Sequence, residues 1–258
     1  MNKKIGAQLY GYRKECDTLE NLDICLKKIA EIGYKAIQVS GLKNITDGKE
    51  IKKLADKYGL EIYVTHVAFT QMMEDFESVV QYQKDLDCRV VGIGAYEKTY
   101  ATDDINVING YAKDLKMLSE KFAKEGITLA YHNHSIEFEK VDGKFLIDHI
   151  MEKSGIPLIL DTYWVAFAGI DVVKFINRYS NKIVFVHFKD LKVTNQVKRN
   201  TVGFAEVGYG NFDWDAIIEA CESSSAIAAI VEQDSTDKET PYISGKMSYD
   251  FLTTKGFN

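Results

Sequence analysis

One rhythm constrains this chain more than any other feature. A short apolar run is followed by an amphipathic stretch, and the pair recurs eight times. The runs lie at 5–10, 36–40, 61–69, 89–94, 127–134, 156–161, 183–187 and 226–232. Apolar runs of this length, bounded by turn residues, read as buried strands. Between them the period changes. Leu22, Ile24, Cys25, Leu26, Ile29 and Ile32 mark a helix that stops at Gly33, and 49–58 closes at Gly59. A long helical region spans about 70–87. Asp103 or Asp104 caps a helix to Glu125, with Ile105, Tyr111, Leu115, Leu118 and Phe122 on one stripe before Gly126. Further helices are expected over 145–153, after Asp171 and from Asp213. The stretch 189–212 shows no clear period, and the tail from Pro241 holds a weak helix at 249–253.

Strict βα alternation demands a parallel sheet. Eight units in 258 residues fit one closed (β/α)8 TIM barrel over 1–258, a fold that typically takes about 250 residues. An open doubly wound sheet is the alternative. It normally carries a glycine-rich phosphate turn after its first strand. Here that turn reads Gln8-Leu9-Tyr10-Gly11-Tyr12, without GxGxxG. In a barrel the active site lies at the C-terminal ends of the strands.

Several function classes are disfavoured by composition. The formal net charge is −6 with both signs interspersed, unlike the basic face that nucleic acid requires. No apolar stretch approaches the roughly 18 residues of a membrane span. Met1-Asn2-Lys3-Lys4 lacks the apolar core of a secretory signal. Cys16, Cys25, Cys88 and Cys221 are scattered, with no CxxC, as expected for buried thiols in a reduced, cytoplasmic protein.

The last four runs share a further property. Each delivers a metal-capable side chain at or just past its C-terminal end: His132, His134 and Glu137 after the fifth, Asp161 after the sixth, His187 after the seventh and Glu232 after the eighth. A strand-end Asp alone is more often a turn former, and a lone buried histidine is more often a core residue. Coincidence at one end of four successive strands is the signal. Three carboxylates and an imidazole form an oxygen-rich site suited to one divalent cation, Mn²⁺, Mg²⁺ or Co²⁺, with Zn²⁺ possible. Without a cation the carboxylates would repel one another.

The segments Tyr131-His132-Asn133-His134-Ser135-Ile136-Glu137-Phe138, Leu160-Asp161-Thr162-Tyr163-Trp164, His187-Phe188-Lys189-Asp190-Leu191 and Val231-Glu232-Gln233-Asp234 resemble the xylose isomerase-like barrels. That family comprises sugar phosphate isomerases and epimerases, and the likeness is to its inosose dehydratase-like, keto-sugar-processing subgroup. The resemblance covers essentially the whole chain. It implies a metal held by Asp161, His187, Glu232 and a carboxylate from strand five. Glu137 is the nearest such carboxylate, with His132 or His134 as alternatives, because many relatives carry Glu on the strand where this chain has His132.

Chemistry follows from such a site. A cation gripping a carbonyl and an adjacent hydroxyl stabilises an enediolate. A base must take the α-proton and an acid must return one. Return to the same or the neighbouring carbon gives epimerisation or isomerisation, and loss of a β-hydroxyl gives dehydration. Candidates for proton transfer are Glu137, Glu232, His66 and His134. Lys189, two residues past His187, should face the same side of its strand. Gln8, His132, Asn133, Trp164 and Glu206 are candidate contacts for a small carbohydrate. The leading expectation is an isomerase or epimerase of a keto-sugar or cyclitol. A dehydratase is the alternative, and a non-catalytic sugar-binding protein is the reading from another class. An endonuclease IV-like site would need about three metals and more histidines than five. Lys192, Lys198 and Arg199 read as surface charge in preference to a phosphate grip. A homodimer or tetramer would use the aromatic segments 70–82 and 96–100.

Overall fold

A computed structural model describes residues 1–100, 103–196 and 199–258. Eight parallel strands close into a barrel: β1 (Ile5–Gln8), β2 (Ala36–Val39), β3 (Glu61–Val67), β4 (Val90–Ile93), β5 (Thr128–His132), β6 (Leu158–Asp161), β7 (Ile183–Phe188) and β8 (Ala228–Val231). Each pairs with its neighbours in chain order, and β1 meets β8 with Ala7 opposite Val231. β3 and β5 begin at the surface and β7 is half-buried only at Val184; the other strands are buried along their length, as both-face burial requires in a parallel barrel.

Side chains alternate across each strand, so parity decides what enters the lumen. Val64, Val90, Ala130, Ile159, Phe185, Ala228 and Ile230 form one packed cluster. Their neighbours Leu129, Tyr131, Leu158, Leu160, Val186 and Ala229 belong to the other core, between strands and helices. Continuing each inward series by two residues reaches His66, His132, Asp161, His187 and Glu232. The top layer of the lumen is therefore polar because of where each apolar run ends. On β4 the same layer carries glycine. A Cβ on Gly92 would come within 2.8 Å of His66 and of Ile159, and one on Gly94 within 2.9 Å of His66. These glycines leave room for the histidine ring.

The outer helices start where caps dictate. Thr18, Asp47, Asp104, Asp171 and Asp213 each accept a backbone N–H of the first turn. Four local expectations are corrected. The 70–87 region is two helices, Phe69–Glu74 and Phe76–Asp85, because Asp75 ends the first and caps the second through Ser78 N. The first strand stops at Gln8, whose side chain accepts Tyr10 N and opens a 3₁₀ turn over Leu9–Glu15. The aperiodic stretch contains a hairpin, Asp190–Gln196 against Arg199–Ala205. The C-terminal helix runs the full Pro241–Thr254, with proline in its first turn.

The four cysteines are buried and free. Among the described residues no helix is long and apolar enough to cross a membrane. Lys198 and the side chain of Arg199 lie outside the described residues.

Candidate metal centre

Four side chains from consecutive barrel strands converge at the mouth. His132, Asp161, His187 and Glu232 are all buried, and one ligand atom from each lies within 4.8 Å of every other. His132 Nε2 is 3.4 Å from Asp161 Oδ2, and His187 Nδ1 is 3.9 Å from the same oxygen. His187 Nδ1 also touches Glu232 Oε2.

The histidines are turned by their far nitrogens. His132 Nδ1 donates to the Gly94 carbonyl at 3.3 Å, which leaves the Nε2 lone pair facing Asp161. His187 Nε2 donates to Gln38 Oε1 at 2.7 Å, so Nδ1 presents its lone pair to the carboxylates. Outer hydrogen bonds of this kind fix the tautomer of metal-ligating histidines. His187 Nδ1 and Glu232 Oε2 are in contact, yet neither has a hydrogen-bond partner. A lone pair facing a carboxylate oxygen lacks a positive charge between them. This donor set fits a divalent cation.

Lys189 supplies the only formal ammonium against the cluster among the described residues. Its Nζ lies 3.5 Å from Asp161, 3.3 Å from Glu232 and 2.9 Å from Asp234. The same Nζ lies over the rings of Phe204, Trp164 and Tyr163, 5.0, 5.1 and 5.8 Å from their centroids. Burial opposes its charge, but Glu232, Asp161 and Asp234 together hold it above the ordinary lysine value. Burial would raise Glu232, yet the Lys189 ammonium outweighs it and holds that carboxyl well below the usual range. Asp161 moves the other way, pushed up by burial with Lys189 opposing. Three carboxylates around one ammonium leave a net negative centre.

Glu137 is not brought into this group. Tyr131 Oη donates to its Oε1 at 2.9 Å and His134 N to its Oε2 at 2.8 Å. The reason is parity: Tyr131 faces away from the lumen, and Glu137 pairs with it on that side. His132, inward on the strand itself, stands beside the other three. Burial pushes the Glu137 carboxyl up to about 7.

A cavity of about 270 Å³ opens over the centre, with Gln8, Tyr10, Ser40, His66, His134 and Asp234 in its walls. Burial first, then His132 and His187, hold His66 well below the ordinary imidazole value, and His66 Nε2 has no partner. His134 is lowered less, mainly by burial, and its ring lies 5.2 Å from that of Trp164. Three expected contacts sit elsewhere. Asn133 is spent on Asp161, accepting its N–H at 3.0 Å and donating to its carbonyl at 3.4 Å. Glu206 accepts from Ser244 at 2.8 Å and Gln233 at 3.4 Å, outside the cavity wall. Trp164 covers Lys189 and is likewise not a cavity-wall residue.

Gln38 and Asp234 at the centre, and Tyr10 and Ser40 in the cavity wall, were not singled out from the sequence. Gln38 was the unmarked polar residue inside an apolar strand, and counting parity from the lumen would have found it. Asp234 lies in the quoted Glu232 segment. Burial and then Glu232 push it up to about 7 against Lys189, and its Oδ1 has no partner.

The sequence profile described as xylose isomerase-like TIM barrel matches residues 26–241. The chain is 28% identical over 210 residues to an inosose dehydratase of Mesomycoplasma hyopneumoniae (strain J), covering 72% of this chain and 68% of the relative. Among solved structures, a sugar phosphate isomerase/epimerase from Parabacteroides distasonis superposes with a TM-score of 0.81 at 19% identity, over 97% of this chain and 93% of the other. The IolI protein with a bound zinc atom gives 0.72 at 15% identity, over 98% and 97%.

Proposed function

Because the chain belongs to the xylose isomerase-like TIM barrel family, we propose that it is a divalent-metal-dependent enzyme that removes a proton α to the carbonyl of a keto-sugar or cyclitol. The observation that carries this is the buried His132, Asp161, His187 and Glu232 group with both histidine lone pairs turned inward. A bound divalent ion would polarise the carbonyl and an adjacent hydroxyl as a Lewis acid. The zinc in IolI supports such a ion-binding role, without fixing the ion's identity.

The chain's own residues supply the proton steps. His66, kept neutral by burial and part of the cavity wall, is the base for the α-proton. Asp234, also in the cavity wall, has a raised value that keeps a proton on part of the population near neutral pH, and it is the donor. His134 is the second donor at that mouth. Lys189 holds a fixed positive charge beside Asp161 and Glu232 and does not need to move. Gln8 and Ser40 orient hydroxyls from the far side.

Dehydration is the outcome we favour, on the strength of the inosose dehydratase relative. The sequence alone put isomerisation or epimerisation first, and that remains the second reading, supported by the family's isomerase/epimerase members.

The test is metal content by elemental analysis on untagged wild type and Glu232→Ala, followed by incubation with keto-sugars and keto-inositols in D₂O. One divalent ion per chain, lost in the variant, with deuterium entering the α-carbon or water leaving, is the expected result. Wild type that takes up no Mn²⁺, Co²⁺ or Zn²⁺ would overturn the proposal.

A further inference from the structure

We infer that two copies of this chain associate, antiparallel and about a two-fold axis, through the groove between the first and last outer helices. This is independent of the proposed function. The groove, about 550 Å³, opens to solvent between Leu19–Ile32 and Pro241–Thr254. Ile32, Tyr242, Ile243 and Met247 supply its apolar walls. It shares no residue with the cavity over the metal centre.

The C-terminal helix is turned the wrong way round for a surface helix. Its buried residues include Ser244, Gly245 and Ser248. A Cβ on Gly245 would collide with Tyr12 Oη, so the glycine lets the helix sit close to the barrel. The outward face carries Ile243, 42 % exposed, with Tyr242 and Met247 half-buried beside it. A surface helix ordinarily buries its apolar stripe and exposes its polar one. The reversal marks a face that another protein surface covers. The aromatic segments 70–82 and 96–100 offer less, because their rings are spent within the fold. Phe76 packs on Phe122 with ring centres 4.7 Å apart, and Tyr96 and Tyr100 pack on Tyr111 at 5.2 and 4.8 Å.

Charge selects the occupant. The two helices run side by side in the same direction: Lys28 Nζ lies 4.4 Å over the Tyr242 ring, and further along a Cβ on Gly33 would collide with the Tyr249 ring. The charged residues of the groove therefore follow in the order Lys28, then Glu31 beside Lys246, then Asp250. Two lysines and two carboxylates favour neither an acidic nor a basic partner. They complement themselves. A second copy laid parallel would set Lys28 against Lys28. Laid antiparallel, it sets Lys28 against Asp250 at both ends and Lys246 against Glu31 at the centre, with Ile243 and Met247 enclosed between. One two-fold operation satisfies both ends, as an isologous contact requires. Among the described residues Lys28 forms no ion pair within its own chain, and its head rests on the Tyr242 ring. Lys246 pairs with Asp250 and Lys27 with Glu31, but all four side chains are more than half exposed. Such pairs contribute little and exchange readily.

The test is sedimentation velocity over a range of protein concentrations. Wild type should sediment at twice the chain mass. Lys28→Asp sets acid against Asp250 at both ends of the contact, and Asp250→Lys sets base against Lys28. Each should weaken association on the order of 100-fold. Both positions are exposed, and a thermal melt of each variant reports its folding. The deciding sample is an equimolar mixture of the two variants. In an antiparallel pair the two changed residues meet at one end and the two unchanged ones at the other, so the mixture should regain most of the wild-type affinity. A wild type that stays monomeric overturns the inference and leaves the groove to another partner. A dimer that both variants keep lies on another face and overturns it too. Variants that separate but fail to pair on mixing exclude the antiparallel arrangement, and the inference falls with it.

Discussion

The two halves of the barrel mouth are built from opposite chemistry. Strands β5 to β8 end in His132, Asp161, His187 and Glu232, with Lys189 and Asp234 close behind. Strands β1 to β4 end in Gln8, Gln38, His66 and two glycines, with Ser40 just beyond. Among the described residues no acidic side chain lines the cavity from that half. The same alternation of inward residues produces both layers, so geometry alone does not separate them. What separates them is task. The charged half can hold an ion rigidly. The neutral half leaves space and hydrogen-bonding groups for whatever the ion holds. The halves meet at Gln38 and His187, and at Gly94 and His132, where the neutral side turns the histidines of the charged side.

The contrast predicts that the charged half is poised for a cation and held meanwhile by Lys189. Lys189→Met should therefore have the largest effect. It leaves Asp161, Glu232 and Asp234 without their buried countercharge, and losing one partner of a buried ion pair costs about 3–5 kcal/mol. Urea unfolding of the metal-free variant should show that loss. Added Mn²⁺ should restore most of it, because the cation replaces the ammonium, and the variant should bind the ion more tightly than wild type does. A variant as stable as wild type without metal would mean that the carboxylates do not need a positive charge between them.

A second effect tests the outer side of the same half. The Glu137 carboxyl is buried against Tyr131 and His134 N, and its value is pushed up to about 7 from an ordinary 4.5. The folded protein thus keeps this proton between pH 4.5 and 7 while the unfolded chain releases it. Folding stability must fall as pH rises through that window, by about 3 kcal/mol in total for this one group. In Glu137→Gln the loss should vanish, so the difference between variant and wild type grows from pH 4.5 to 7 and is constant above. Unfolding curves at several pH values in the metal-free state check it. Parallel pH dependences would show that Glu137 is ionised throughout.

These residues also show how far the sequence could be read. The barrel was legible because each apolar run is short and each ends in a glycine- or aspartate-marked helix. Asp161, His187 and Glu232 were legible as a set because they close three such runs. Glu137 was favoured over His132 by chemical type, a carboxylate being the commoner ligand, whereas parity from Ala130 puts His132 beside the other three side chains. Gln38 carried no signal by type at all. The split at Asp75 was hidden because no glycine or proline marks it, and only the cap to Ser78 N reveals it. The hairpin at 190–205 was hidden because its apolar residues, such as Val193 opposite Val202, stand exposed on a ribbon that packs no core of its own.

The smallest effect probes the seam between the halves. Gln38 meets the charged half through His187, and its Oε1 accepts the Nε2 proton at 2.7 Å in a fully buried contact. Gln38→Leu removes that acceptor at similar volume. His187 is then free to carry its proton on Nδ1, toward Glu232, where it would block coordination. Loss of such an outer partner typically weakens metal binding by about 10–100-fold. Gln38→Glu, which keeps an oxygen acceptor, should stay much closer to wild type. Competition of each variant with a chelator for Co²⁺ reads the difference directly, without any substrate. Equal affinity in wild type and Gln38→Leu would show that the neutral half takes no part in orienting the ligand, and the two halves would then be independent. A graded series, with Leu weakest and Glu near wild type, would show that the neutral strands set the lone pair on which the charged strands depend.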